Sequence, residues 1–140
     1  AERLLVDGGR LAIAAVVSPE RPRPAVVELA AWGSRYVSEA GPVVPWSELV
    51  SAVDRSPRLR LLGRIEATSH HAETVRLWSE TFALRGRDAA ALGFDAVYRR
   101  MWAFHLAALE AGLRRGWLES VQVVATAKST LTHLDGPPTS

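Results

Sequence analysis

The 140-residue sequence contains no cysteine. This absence excludes a disulfide framework, a zinc finger and a thiol nucleophile, and it fits a reducing compartment. Lysine is nearly absent as well, since Lys128 is the only one and arginine supplies the rest of the positive charge. The arginines are scattered without a dense basic block, which argues against nucleic-acid binding. We therefore predict a cytoplasmic protein that does not bind nucleic acid.

The sequence also lacks a long apolar run. Its longest run is well short of the roughly 20 residues that a membrane span needs, and charges interrupt the first nine residues where a signal peptide would be apolar. A hydrophobic content of 48% is enough for one core. We predict a soluble domain over residues 1–128 and a flexible tail over 129–140. Residues 1–6 are typical of the last turn of a helix that belongs to a longer chain.

The segment from Phe94 to Lys128 predicts a long helix, a sharp stop and a strand. The helix should begin near Asp95 and end at Gly116, which can adopt the left-handed conformation. Trp117–Ala127 is β-branched and apolar, as in a strand. The helix carries two apolar stripes, which predict that it is covered on most of its circumference. One stripe holds Val97, Met101, Phe104 and Ala108, and the other holds Trp102, Leu106, Leu109 and Leu113.

The preceding chain predicts two further strands. Leu11–Val17 is continuously apolar, which is typical of a strand buried on both faces in a parallel sheet. Leu59–Ala67 alternates, which favours a half-exposed strand near a sheet edge.

Helices are predicted at three places before the long one. The first is Ala25–Tyr36, and the second runs from Ser47 to Val53 with Ser47 as its cap. The third is capped by Thr68 or Ser69. Its apolar face holds Ala72, Val75, Trp78 and Phe82. Loops are expected around Pro19–Pro24 and Gly41–Pro45, and a polar break over Arg85–Asp88. We summarise the fold class as α/β with the order β-α-β-α-α-β, a mixed sheet and a last strand that inserts into it.

Five stretches resemble motifs of one known family. Leu4–Leu11 resembles LLKPGGRL, His70–Trp78 resembles HYxRTLxxW, and Leu92–Leu106 resembles LGFDxxFxRMWxYYL. Glu110–Arg114 matches CEAGFR with two replacements, and Val121–Val124 matches a closing strand. The chain thus resembles the C-terminal half of the cyclopropane-fatty-acyl-phospholipid synthases, which include the mycolic acid cyclopropane synthases.

The resemblance implies a Rossmann-like methyltransferase fold that binds S-adenosylmethionine at a glycine-rich turn. Gly8-Gly9 is an isolated pair, so the donor-binding half is expected to be absent. The resemblance then implies a C-terminal fragment of an enzyme that cyclopropanates or methylates unsaturated acyl chains of lipids, inactive alone. The alternative is a degenerate, non-catalytic family member that serves as a dimerisation or scaffolding partner.

In the family, a bound bicarbonate removes a proton after methyl transfer. The resemblance places the histidine that holds this anion at Ala14, an aliphatic residue at Val16 and a tyrosine at His71. Ala14 cannot donate a hydrogen bond, whereas His71 can. His71 is therefore a candidate catalytic residue, in a site that is either rebuilt or lost.

Four further residues are candidates with ordinary alternatives. Glu110 either pairs with Arg114 or faces the pocket as a catalytic residue. His105 is either a hydrogen-bonded core histidine or a substrate contact. Trp78 and Trp102 either pack in the core or line an acyl channel. His70 and His71 diverge by about 100° on a helix, so no metal site is expected.

The absent half also leads to a prediction about assembly. Without it, the strand Leu11–Val17 would expose a flat apolar edge, which is a template for pairing with another chain. We expect a homodimer, or pairing with a donor-binding half, near Ala12–Val16. Contact with a membrane is expected to be peripheral at most.

Overall fold

The computed structural model describes residues 4–37 and 43–128. Eight elements follow one another: β1 (Arg10–Val17), α1 (Pro24–Tyr36), α2 (Trp46–Asp54), β2 (Leu59–Glu66), α3 (Thr68–Leu84), α4 (Gly86–Ala91), α5 (Ala96–Arg114) and β3 (Glu119–Ala127). The predicted tail over 129–140 lies outside the described residues, as do part of the predicted helix end at Ala1–Val6 and part of the loop around Gly41.

The three strands form one sheet in the order β1-β3-β2, and β3 runs antiparallel to both neighbours. The prediction that the last strand inserts into the sheet is confirmed, and β2 lies at an edge as expected. Within the described residues β1 pairs with β3 alone along its length, so its other edge is open.

The prediction that β1 is buried on both faces is wrong. Ala12 and Ala14 are exposed, whereas Ile13 and Ala15, on the opposite face, are partly buried. The physical reason is that a continuous apolar run specifies a strand without specifying its neighbours. Ala12, Ala14 and Val16 share one face of β1, and of these three residues only Val16 packs on the helices.

Helices lie on both faces of the sheet. One face packs Val17, Val121 and Val123 against residues of α2 that include Trp46 and Leu49. Val16 points to the other face of the sheet. There it packs on a cluster of residues from α1, α3, α5 and the turn that precedes β3. Its buried members are Val26, Ala72, Val75, Leu106, Leu113 and Leu118.

The long helix begins and ends as predicted. The Asp95 carboxylate accepts a hydrogen bond from the Tyr98 backbone N–H at 2.7 Å, and Gly116 follows the helix with a φ of 65°. Gly112 is required for packing, because a Cβ there would lie 2.8 Å from Leu118 Cδ1. The helix is less covered than predicted: Val97 and Phe104 are exposed, since nothing described lies over most of that stripe.

Three local predictions are corrected. The supposed polar break contains α4, because three consecutive alanines favour a helical turn. Since two helices, α1 and α2, also lie between β1 and β2, the order is β-α-α-β-α-α-α-β. Ser47 does not cap α2: its hydroxyl donates to a Glu20 carboxylate oxygen at 2.6 Å. Thr68 does not cap α3, since its hydroxyl oxygen accepts from the Ser120 N–H at 3.1 Å. Both side chains have partners from other segments.

Candidate functional site

An apolar cavity of about 250 Å³ lies between the end of β1, helix α1 and helix α5. Ser34 and His105 are its polar lining residues. The apolar part of the lining comprises Val16, Val26, Leu29, Ala30, Gly33, Val43, Leu109 and Leu118. This volume is a little below the roughly 300–1,000 Å³ of ordinary ligand pockets, so the cavity suits a segment of an apolar chain.

Helix α1 forms one wall of the cavity. Pro24 occupies its first turn after an extended Arg23, a favourable helix start. Val26, Ala30 and Gly33 then recur at helical spacing on the side that faces the cavity. Sequence reasoning did not assign these residues to the site, although this spacing is the signal that could have identified them.

Two aromatic contacts hold α1 in place. The Trp32 ring meets the Phe104 ring of α5 edge-on, with centroids 5.1 Å apart. The Arg23 guanidinium lies 5.4 Å from the centre of the Trp117 ring, at the junction of α5 and β3. The first contact is an edge-to-face pair and the second a cation–π contact, so both stabilise this wall.

His105 is the predicted site residue that lines the cavity. Its ring lies 5.5 Å from the Trp102 ring, and it has no hydrogen-bond partner among the residues that the structure describes. The alternative of a hydrogen-bonded core histidine is therefore not what the structure shows. Burial lowers the pKa of His105, so the ring is neutral at pH 7. With Ser34, it presents a weakly polar surface to a space that is otherwise apolar.

The two candidate tryptophans lie elsewhere. Trp102 stacks nearly parallel to Tyr98, with ring centroids 6.4 Å apart, and borders a groove between α3, α4 and α5. Trp78 is half exposed on α3, and its ring meets that of His71 edge-on at 6.2 Å. Neither side chain lines the cavity.

His71 lies in the first turn of α3 and is partly buried. Its Nδ1 atom is buried without a hydrogen-bond partner in the described structure. Burial lowers the pKa of His71, which favours the neutral ring. A buried ring nitrogen without a partner is uncommon in a folded protein, which makes it a candidate for a hydrogen bond to a ligand.

Glu110 forms an ion pair rather than lining the cavity. Its carboxylate accepts from Arg114 Nε at 2.7 Å, and Arg114 also reaches Glu73 on α3 at 3.4 Å. Hydrogen bonds with Arg76 and Arg114 lower the pKa of Glu73, and the carboxylates of Glu110 and Glu73 raise the pKa of Arg114. Of the two alternatives for Glu110, the structure shows the pair within α5, and the Arg114–Glu73 pair joins α5 to α3.

The positions matched to an anion site converge on one end of the sheet. Val16 lines the cavity and pairs across the sheet with Ser120, whose N–H donates to Thr68 at the start of α3. His71 is one turn further along α3. Ala14 lies on the same strand face as Val16 but is exposed.

Neither a metal cluster nor a membrane-spanning helix occurs in the described ranges. Residues 4–37 and 43–128 contain no group of three or more histidine or acidic side chains that could hold a metal ion. Within the same ranges, no helix is both long and apolar enough to cross a bilayer.

The fold is that of part of the domain found in solved methyltransferase structures. Among solved structures, the chain superposes on the mycolic acid cyclopropane synthase CmaA1 in complex with SAH and CTAB with a TM-score of 0.77 at 18% identity, over 90% of this chain and 47% of that one. The cyclopropane synthase MmaA2 from Mycobacterium tuberculosis gives 0.74 at 18% identity, over 89% and 46% of the two chains. A putative sarcosine dimethylglycine methyltransferase from Galdieria sulphuraria gives 0.71 at 12% identity, over 93% and 46%. At these identities the likeness shows the fold.

The family follows from sequence. The profile of the mycolic acid cyclopropane synthetase family matches residues 1–123, so the chain belongs to that family. A relative, tuberculostearic acid methyltransferase UfaA1 from Mycobacterium tuberculosis, is 35% identical over 121 residues, or 86% of this chain and 28% of the relative. The family is one of S-adenosylmethionine-dependent, lipid-modifying methyltransferases. The chain spans under a third of this relative and about half of the cyclopropane synthase structures.

Proposed function

We propose that the chain is the C-terminal part of an S-adenosylmethionine-dependent methyltransferase that cyclopropanates or methylates unsaturated acyl chains of lipids. The observation that supports this most directly is the cavity between β1, α1 and α5, whose lining is apolar apart from Ser34 and His105. Such a space favours an aliphatic chain, because burying apolar surface contributes about 25 cal/mol per Å². The proposed enzyme works in the cytoplasm, at the surface of the membrane that holds its lipid.

We propose that this chain shapes the acyl side of the active site and excludes water from it. His105 and Leu109 from α5 and Val16 from β1 wall the cavity, and burial of His105 favours its neutral ring, which adds no charge to this apolar space. S-adenosylmethionine, when bound, supplies the methyl group. The described residues offer it no glycine-rich turn, so the donor site is proposed to lie outside this chain. The chain alone should then bind the donor no tighter than about millimolar, or about −4 kcal/mol, by calorimetry.

The fit to a bicarbonate ion is partial. His71 retains a buried ring nitrogen without a partner, which suits a hydrogen bond to an anion. Ala14 offers no donor and Val16 is aliphatic, so His71 is the single donor among the three matched positions. We therefore propose His71 as the one residue of this chain that would contact such an anion.

A second candidate function is supported by Ala14. An alanine in place of an anion-holding histidine, on an open strand, favours a non-catalytic member that pairs with an active methyltransferase. Mixing the chain with a separately expressed donor-binding part and following label from S-adenosylmethionine into phospholipid separates the two candidates. Label in the lipid supports the enzyme, whereas a stable complex without label supports the scaffold.

The cavity can be tested by filling it. Gly33 faces the cavity, and a Cβ added there would have no atom within 4 Å, so Gly33→Leu adds bulk without a clash at Cβ. Ala31 lies on the exposed side of the same helix, which makes Ala31→Leu the matched control. Binding of a fluorescent polyunsaturated fatty acid should fall at least tenfold in Gly33→Leu and stay unchanged in Ala31→Leu. Equal binding by all three proteins would contradict the acyl site.

We also propose that the open edge of β1 is where the donor-binding part pairs, and that without it two copies join there around a two-fold axis. The edge has no strand partner among the described residues, and apolar Ala12 and Ala14 beside it are exposed. Light scattering during size-exclusion chromatography at low micromolar concentration should give twice the 15.2 kDa chain mass. A monomer mass with a cooperative unfolding transition would contradict this assembly.

A further inference from the structure

One end of the helical layer exposes a cluster of large apolar side chains. It runs from the last residue of α3 through α4 to the first turns of α5, and we name residues Leu84–Arg100 the helical tip. Leu84 is 85% exposed, Leu92 77%, Val97 63% and Phe94 42%. Four such residues within one short stretch form the kind of patch that marks an interaction surface on a soluble protein.

An aromatic groove lies directly behind these side chains. Leu92 and Phe94 line it together with Phe82, Tyr98 and Trp102, and its volume is about 450 Å³. Phe94 and Tyr98 stack with ring centroids 4.7 Å apart, which fixes the aromatic wall. No residue of β1 lines this groove, so it is distinct from the open strand edge and from the apolar cavity.

The same tip has an excess of positive charge. It contains four arginines, at 85, 87, 99 and 100, and two aspartates, at 88 and 95. Arg85 pairs with Asp88 at 3.1 Å, while Asp95 caps α5. Arg87 and Arg100 are exposed and make no ion pair or hydrogen bond with any described residue. Two exposed arginines without an ion-pair partner in the described structure therefore lie in the same short stretch of chain as the exposed leucines.

We infer that the helical tip docks on an anionic lipid bilayer surface. Exposed leucine and phenylalanine side chains gain by entering the headgroup region, and adjacent arginines are attracted to anionic lipids. A protein partner would also cover the apolar residues, but the unpaired arginines favour a surface of negative charge. The inference deepens the proposed function by naming the surface that would meet the membrane, and its test is separate because vesicle binding requires neither the cavity nor the donor.

The test is flotation of the 140-residue chain with vesicles of phosphatidylglycerol and phosphatidylcholine at low salt. The apolar variant is Leu84→Ser with Leu92→Ser. Its matched control is Leu4→Ser with Val6→Ser, since those side chains are 89% and 77% exposed but lie outside the tip. The charge variant is Arg87→Gln with Arg100→Gln, and its control is Arg21→Gln with Arg60→Gln, two exposed arginines elsewhere.

The chain should float with the anionic vesicles and release at 1 M salt. The charge variant should bind roughly 10- to 30-fold more weakly, and the apolar variant at least tenfold more weakly. Both controls should bind like the parent. No binding to anionic vesicles, or equal losses in tip and control variants, would overturn the inference. It would also be overturned if the apolar tip variant converted a dimer to a monomer, because a second copy would then be the occupant.

Discussion

Strands β1 and β3 pair along their whole length yet differ in how fully they are buried. β3 contains Glu119, Gln122 and Thr126, but Val121, Val123, Ala125 and Ala127 are almost wholly buried. β1 has no polar side chain after Arg10, yet Ala12 and Ala14 are exposed. The more apolar strand is thus the less buried one.

The difference arises from position in the sheet. β3 is central, with strands on both edges and packed clusters that include residues of its buried face. β1 is an edge strand whose composition would suit a central one. Its unmatched apolar character supports the proposal that another strand pairs there.

The largest expected effect on stability comes from introducing an aspartate into β3, compared with introducing one into β1. Val123→Asp in β3 buries an uncompensated charge and should lower the free energy of unfolding by about 4 kcal/mol or more. Ala14→Asp in β1 faces solvent and should cost about 1 kcal/mol or less. Urea denaturation measures both. Similar losses of unfolding free energy in the two variants would show that β1 is as buried as β3, which would contradict the difference between the strands.

The sequence was a good guide where a pattern and its cause are local. The β-branched, apolar composition of β3, the start of α5 near Asp95 and the stop at Gly116 depend on residues close in the chain, and the structure has all three. The five motifs identified the family because together they extend over most of the chain, and the family profile confirms them.

The sequence was a poor guide where the cause is a distant neighbour. An apolar run cannot specify what lies across from it, so the exposure of Ala14 and Phe104 was missed. The partners of Ser47 and Thr68 come from other segments, which a capping rule cannot anticipate. For the same reason the contribution of α1 to the cavity was missed, while His105 was identified.

A smaller effect extends the comparison to the two stripes of α5. Leu106 is buried among residues of α1, α3 and the turn before β3, so Leu106→Ala should cost about 2–5 kcal/mol. Phe104 is half exposed and makes its main ring contact with Trp32, so Phe104→Ala should cost only about 0.5–1.5 kcal/mol. Thermal and urea unfolding of the two variants give the ranking. A loss below about 0.5 kcal/mol for Leu106→Ala would show that this stripe is not buried.

The smallest expected effect is on the pH dependence of stability, and it compares partly buried histidines with an exposed one. Burial lowers the pKa of His71 and His105 below 6.5, so the unfolded chain binds more protons than the folded one as the pH falls through 6.5. The contribution of each ring to stability is therefore complete above pH 6.5 and declines below it, until the lowered pKa is reached. The free energy of unfolding of the parent protein should fall as the pH is lowered from 7 to 5. In the double variant, which combines His71→Gln with His105→Gln, it should fall less steeply. His70→Gln, an exposed neighbour, is the control and should keep the parent slope. The slope in the double variant is the deciding measurement, because a slope equal to the parent's would mean that other groups cause the pH dependence.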